Sequence, residues 1–325
     1  MKAILLAAGL GTRMRPLTLL RAKPALPVLN RPLLQWSLEA MAQAGVREVM
    51  VNLHYLPESV RRAVGRRPFG LRIAYSFERR ILGTGGGPRK VREFFGREPF
   101  LILNGDVLFG FDLKRFLAAH RRSGAAASLA LLPNPDPRRY GSVITGPDGR
   151  VRSLAGLPRP ARGTRSLFTG VHVMDPALLD RLPAGASDSV RDLYAPMVAA
   201  GERVNGVRVK GAWYDLGSPS LYLASHHSML ARGFRKNRRG PLVHPTARVH
   251  PRAVVTRSVI GPGSVVEEGA EVRGSVLWER VRIGRGARVR ECVVADRMTV
   301  GPDESLARTL VLPGPRGARH VEVDG

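Results

Sequence analysis

Short apolar runs alternate with segments of helical periodicity through the first two thirds of the chain. Ala3 to Ala8, Val46 to Leu53, Leu71 to Tyr75, Pro99 to Leu103, Ala126 to Leu132, Gly141 to Thr145, Leu167 to Met174 and Val204 to Val209 predict strands. Between them, Pro32 to Ala44, Pro88 to Phe95, Leu113 to Arg122 and Val190 to Ala200 predict helices. Pro32 suits a first helical turn and Gly45 suits a helix end. Near-continuous apolar strands suit a sheet covered on both faces. The expected fold is therefore α/β: a Rossmann-like mixed, mostly parallel sheet flanked by helices.

After Leu230 the pattern changes. Arg232 to Gly240 is basic and glycine-flanked, and reads as a linker. From Pro241 small aliphatics recur about every sixth residue: Val243, Val249, Val255, Ile260, Val265, Val272, Leu277, Ile283, Val289, Val294 and Val300. Gly and Pro fall between them, so each turn of chain can bury one aliphatic per side and bend at the corners. This predicts a short C-terminal left-handed parallel β-helix. The expected organisation is 1–231 for the α/β domain, 232–240 for the linker and 241–325 for the coil. A coil this short suggests a structural or oligomerising role, hence a homo-oligomer, and His244 and His250 on its first turn read as surface residues.

A formal net charge of +26 raises the question of a polyanion partner. The arginines are scattered rather than blocked, and no nucleic-acid-reading motif is present, so no nucleic-acid partner is expected. Cys292 is alone, which excludes an intrachain disulfide and a cysteine zinc cluster and suits a reducing cytoplasm. The apolar start is interrupted by Gly9 and followed by Arg13 and Arg15, which fits a core strand better than a signal peptide. No apolar run approaches the roughly 18 to 20 residues that span a bilayer, so no membrane association is expected.

Chemistry concentrates in a few motifs. Leu6-Ala7-Ala8-Gly9-Leu10-Gly11-Thr12-Arg13 follows the first strand, and Lys23-Pro24-Ala25-Leu26-Pro27-Val28 comes soon after. Glycines after a buried strand let backbone N–H groups approach a phosphate, while arginine and lysine neutralise it. The run lacks the third glycine of a dinucleotide fingerprint and the Gly-Lys-Ser/Thr end of a P-loop. Further along stand Leu82-Gly83-Thr84-Gly85-Gly86-Gly87, the strand-ending Asn104-Gly105-Asp106, Tyr140-Gly141-Ser142-Val143, Leu167-Phe168-Thr169-Gly170-Val171 and Trp213-Tyr214-Asp215-Leu216-Gly217-Ser218-Pro219.

In this order, from Met1 to about Leu230, the motifs resemble those of sugar-1-phosphate nucleotidylyltransferases. The resemblance implies transfer from an NTP to a sugar 1-phosphate, with Arg13, Lys23 and Asp106 catalytic. It implies nucleotide binding by Ala8, Gly9, Gly11, Thr12, Arg13, Thr84, Gly85 and Gly86, and sugar-phosphate binding by Lys23, Gly141, Thr169 and Gly170. Asp106 and Asp215 would be the ligands of a Mg²⁺ ion, which favours oxygen donors and retains part of its water.

Two departures stand out. The family often carries Glu-Lys-Pro before its second sugar strand, whereas Leu154 to Pro160 has neither Glu nor Lys, and Ser218 replaces a threonine. The Thr-Gly-Gly-Gly and Asn-Gly-Asp motifs look most like the bacterial mannose-1-phosphate guanylyltransferase and N-acetylmuramate-1-phosphate uridylyltransferase branch. With the C-terminal coil, this implies GDP-mannose synthesis; UDP- or dTDP-sugar synthesis, or a non-catalytic NDP-sugar-binding subunit, are the alternatives.

Overall fold

Strand β1 (Lys2–Leu6) is apolar throughout its middle because both of its faces are covered. Ala3 and Leu5 enter one hydrophobic layer and Ile4 the other. The same alternation runs through β2 (Glu48–Leu53), with Val49 and Val51 opposite Met50, and β4 (Phe100–Asn104), with Leu101 and Leu103 opposite Ile102. Between these two comes β3 (Arg72–Phe77). Helices α1 (Leu33–Gln43) and α2 (Pro57–Val64) supply Leu34, Leu38, Val60 and Val64 to the first layer. Phe95, Leu179, Leu193 and Tyr194 line the second.

The computed structural model describes residues 1–66, 68–158, 162–234, 240–315 and 317–323. Chain packing defines two units: Met1–Leu10, Ala22–Ala25 and Leu33–Trp213 form the first; Gly11–Arg21, Leu26–Pro32 and Tyr214–Gly325 form the second. The first holds a mixed sheet in which β4, β1, β2 and β3 lie side by side and parallel. The chain steps outward from β1 to β2 to β3 and then returns to the other side of β1. Strand order thus reverses at β1, and in open α/β sheets the crevice at the carboxyl ends of such strands receives ligands. Beyond β4, a long strand Thr164–Met174 runs antiparallel and pairs in turn with Ser142–Thr145 and Ala127–Pro133.

The predicted strands are all present, with ends shifted by a few residues. The expected Pro88–Phe95 helix is different: the helix starts at Gly83, runs to Lys90, and is followed by a separate turn at Arg92–Phe95. Four glycines precede Pro88, so intrinsic propensity argues against a helix there. Packing overrides it, as the site geometry shows below. The expected Val190–Ala200 helix divides into a wide turn at Val190–Tyr194 and an α-helix at Ala195–Ala199.

The second unit contains stacked parallel strands consistent with a left-handed β-helix. Register partners advance by 17 residues on each face, as in Leu242, Val259, Val276, Val293 and Leu310. One side of each turn is therefore a residue shorter than the other two. Val272, Leu277, Ile283, Val289 and Val294 fill the interior, joined by Val266 rather than the expected Val265. Ser258, Ser275 and Cys292 stand at one 17-residue position; Ser258 Oγ accepts from Ser275 N and Ser275 Oγ accepts from Cys292 N, each at 3.0 Å. Residues 235–239 of the expected linker, and Arg159-Pro160 of the departing segment, lie outside the described residues. Among the described residues no helix is long and apolar enough to cross a membrane.

Candidate functional site

Two strand ends meet first. Gly105 N donates to Leu6 O at 2.8 Å, so the Asn104-Gly105-Asp106 turn lies against the exit of β1. A Cβ on Gly105 would stand 2.5 Å from Leu6 O, closer than any side chain allows. Glycine is thus required for that approach, and Asp106 follows it with its side chain 46% exposed.

Lys23 stands in a short 3₁₀ turn, Lys23–Ala25, and is only 6% exposed. Its Nζ donates to Asp106 Oδ2 at 3.0 Å. The ammonium sits under cover while its carboxylate partner reaches solvent. A cation so placed is costly to leave unpaired and strongly attracts any anion that displaces the carboxylate.

The residues expected on the sugar side gather near Asn104 and Trp213. Gly170, in a left-handed conformation, lies where a Cβ would meet the Asn104 side chain at 2.8 Å. It sits in the register break of the Thr164–Met174 strand between Phe168 and His172. Thr169 is buried, donates through Oγ1 to Ala130 O at 2.9 Å, and accepts at its carbonyl from Trp213 Nε1 at 3.1 Å. The Tyr140 ring packs edge-on to Trp213 at 5.3 Å, and Gly141 beside it has open space around it. Thr169 therefore contributes shape and backbone here, since its hydroxyl is turned into the sheet.

The Thr84-Gly85-Gly86 segment is held from behind. Gly85 N donates to Ser187 O at 2.9 Å, Thr84 Oγ1 donates to Asp188 Oδ2 at 3.0 Å, and Ser189 N donates to Thr84 Oγ1 at 2.9 Å. A Cβ on Gly86 would lie 2.1 Å from Gly185 O. Close backbone packing explains why glycines form a helix here. Ala8 is buried, whereas Gly9 is exposed with nothing within 4 Å of an added Cβ.

Gly11, Thr12, Arg13 and Asp215 belong to the second unit. Gly11 takes a left-handed conformation and starts the turn Thr12–Met14; its carbonyl accepts from Thr18 Oγ1 at 2.9 Å. Met14 is buried, which leaves Thr12 and Arg13 exposed on the other side. Asp215 curls over Gly217, where a Cβ would meet Oδ1 at 2.8 Å. Ser218 Oγ then accepts from Leu221 N at 3.3 Å and caps the helix Pro219–Arg232. A hydroxyl is what that cap needs, so serine serves in place of threonine.

Residues 2–232 match the nucleotidyl transferase family, and residues 239–314 match the GMPPB C-terminal domain. The chain belongs to the nucleotidyl transferase family. Among proteins similar to this transferase are the mannose-1-phosphate guanylyltransferase of Mycobacterium tuberculosis, 33% identical with 86% of this chain and 80% of the relative covered. The UTP–glucose-1-phosphate uridylyltransferase of Synechocystis is 30% identical over 87% and 84%. The mannose-1-phosphate guanylyltransferase 1 of Arabidopsis thaliana is 29% identical over 93% and 88%.

Two residues of the transferase escaped the motif reading. Asn52 and Glu78 are 2% and 1% exposed. Asn52 Oδ1 accepts from Ala7 N at 2.6 Å, its Nδ2 donates to Glu78 Oε1 at 2.7 Å, and Glu78 Oε2 accepts from Leu82 N at 2.9 Å. This buried bridge ties the exit of β1 to the entry of the glycine helix. The available signal was an Asn inside an apolar strand, a polar group that must find partners when buried. Its partner, 26 residues away, was not readable.

Proposed function

We propose that this chain makes an NDP-sugar and pyrophosphate from an NTP and a sugar 1-phosphate. Support comes above all from the covered Lys23 ammonium facing the exposed Asp106 carboxylate at the switch point of the sheet. An oxygen of the sugar phosphate attacks the α-phosphorus, the bond from that phosphorus to the bridging oxygen breaks, and pyrophosphate leaves with the electron pair. Little covalent work falls to the protein, so holding the two phosphates in line and balancing their charge supplies most of the rate.

In this reading the N–H groups after Ala8, at Gly9 and Gly11, take the β and γ phosphates, with Thr12 and Arg13 on the same turn. Lys23 exchanges its carboxylate for phosphate oxygens as the substrates enter. Thr84, Gly85 and Gly86 bound the nucleobase, while Gly141, Thr169 and Gly170 bound the sugar. Asp106 is an oxygen donor suited to Mg²⁺, and the motif assigns Asp215 as the second. No group of three or more His, Cys, Asp or Glu side chains gathers among the described residues. Mg²⁺ commonly takes one or two carboxylates and fills the rest of its shell with phosphate and water. Bound Mg²⁺ would offset charge on the attacking and departing oxygens.

GTP and mannose 1-phosphate are the favoured pair: two of the relatives above carry the mannose-1-phosphate guanylyltransferase name, and the C-terminal match points the same way. UTP and glucose 1-phosphate are the second choice, after the Synechocystis relative. We further propose 1–231 as the catalytic domain joined through 232–240 to a coil over 241–325 that supports a cytoplasmic homo-oligomer.

The test is a matrix of GTP, UTP, dTTP, CTP and ATP against several sugar 1-phosphates, read as released pyrophosphate with and without Mg²⁺. Turnover requires both substrates and the metal, and Asp106→Asn, which keeps an oxygen acceptor for Lys23 but loses the charge, lowers it by about 10²-fold or more. NDP-sugar binding with no turnover of any pair would instead identify a regulatory subunit.

A further inference from the structure

The first turn of the glycine helix is held by three consecutive residues of the same unit, Ser187, Asp188 and Ser189. Ser187 N donates to Leu82 O at 2.9 Å, and Ser187 O accepts from Gly85 N at 2.9 Å and from Gly86 N at 3.4 Å. A Cβ on Gly83 would fall 2.5 Å from Ser187 O, and one on Gly85 would fall 2.8 Å from Ser187 Oγ. Asp188 Oδ2 accepts from Thr84 Oγ1 at 3.0 Å, and that hydroxyl accepts in turn from Ser189 N at 2.9 Å and Ser189 Oγ at 3.2 Å. The second carboxylate oxygen, Asp188 Oδ1, accepts from Val190 N at 2.9 Å and Arg191 N at 2.8 Å. Asp188 N donates to Asp192 Oδ2 at 2.7 Å, so the carboxylate is fixed on its own segment before it meets Thr84.

Glycine is among the poorest helix formers and this helix carries four, so its first turn depends on what closes against it. The Ser187 bonds are backbone to backbone, whereas the Asp188 bond joins a hydroxyl to a carboxylate. A hydrogen bond to an ionised acceptor is about twice as strong as a neutral one. The same set of bonds spends the Gly85 and Gly86 N–H groups and the Thr84 hydroxyl inside the protein. What is left for a nucleobase is the room beside the turn and its backbone edge, and both are set by where the turn stands. We infer that Asp188 is a positioning residue for nucleotide binding, acting through the Thr84 hydroxyl on the first turn of the glycine helix. This rests on the transferase reading above, which puts the base against that turn.

The experiment uses the full chain with Asp188→Asn, Thr84→Val and the two together. Asparagine caps a turn as well as aspartate does, so Val190 N and Arg191 N keep an acceptor while Thr84 loses the carboxylate. Valine removes the hydroxyl at nearly constant shape. Binding of GTP and UTP is read by titration calorimetry, and KM for the nucleotide and for the sugar 1-phosphate by pyrophosphate release. Each single variant is expected to raise nucleotide Kd and KM about tenfold, as loss of one charge-assisted hydrogen bond does, while sugar 1-phosphate KM stays within about twofold. Both substitutions break the same bond, so the double variant binds within about twofold of the weaker single one. Glu202→Gln, which alters an exposed pair with Arg181, changes none of these readouts.

Nucleotide Kd within about twofold of the parent in both single variants overturns the inference, and so does a double variant in which the two losses multiply. An equal rise in KM for nucleotide and sugar 1-phosphate also overturns it, because that marks a general loosening of the fold. A parent chain that binds GTP or UTP but turns over no pair, with Kd still raised by Asp188→Asn, would sink the transferase reading and keep the role of Asp188. A parent that binds neither nucleotide overturns both.

Discussion

Two glycines of this chain, Gly9 and Gly86, have opposite reasons for being glycine, and one substitution at each separates those reasons. At Gly9 an added Cβ meets nothing within 4 Å and the backbone is not in the left-handed region. Gly9→Ala therefore costs the fold nothing, and the restricted unfolded chain gives back about 0.4–1 kcal/mol. For a domain of this size that raises the melting temperature by about 1–4 °C. The methyl does occupy the space where a phosphate would approach the N–H groups. An overpacking cost of about 1–3 kcal/mol in the bound state lowers kcat/KM by about 5- to 150-fold. At Gly86 the added Cβ falls 2.1 Å from the backbone oxygen of Gly185 and 3.1 Å from Leu82 Cβ. The same 1–3 kcal/mol then falls on the folded state, and Gly86→Ala melts about 3–10 °C lower. Scanning calorimetry and pyrophosphate-release kinetics on both variants read the two effects apart. A Gly9→Ala enzyme with kcat/KM within twofold of the parent refutes the phosphate cradle. Gly86→Ala with unchanged melting but a raised KM for NTP would make that glycine a matter of nucleobase room rather than packing.

Two further outcomes follow from groups that the fold holds neutral. Burial pushes the His172 imidazole down to about 3 and the His226 imidazole down to about 4, whereas both titrate near 6.5 in an unfolded chain. Their stabilisation is complete above about pH 6.5 and is lost as pH falls toward those folded values, by up to about 1.4 kcal/mol per pH unit for each. Urea titrations at pH 7.5, 6 and 5 should show falling midpoints, with a shallower fall in His226→Gln; equal midpoints across that range would refute it. Cys292 stands where the neighbouring turns carry Ser258 and Ser275, and burial raises its thiol above the ordinary range. Cys292→Ser should keep the melting temperature within about 2 °C, and native Cys292 should resist alkylation until the chain unfolds.

The order of the motifs and the two-part architecture were legible in the sequence because each depends on local pattern. Buried strands read as apolar runs, the coil reads as recurring aliphatics, and glycines at strand exits read as close backbone approach. What was misread had a non-local cause. The glycine helix at Gly83–Lys90 looks like a loop by propensity, and is a helix because Ser187 and Gly185 close against it. Asn52 and Glu78 carry no motif, and their importance comes from joining Ala7 to Leu82 through the interior.

By itself, then, the order of residues determined the strands, the turn chemistry and the family, since these follow from spacing along one chain. Only the folded chain decided which polar groups meet: Lys23 with Asp106 across 83 residues, and Arg21 with Asp296 across 275. Such pairs depend on which strand ends and coil corners become neighbours. A hydrogen bond acts over about 3 Å of space, and no local pattern in sequence encodes that distance.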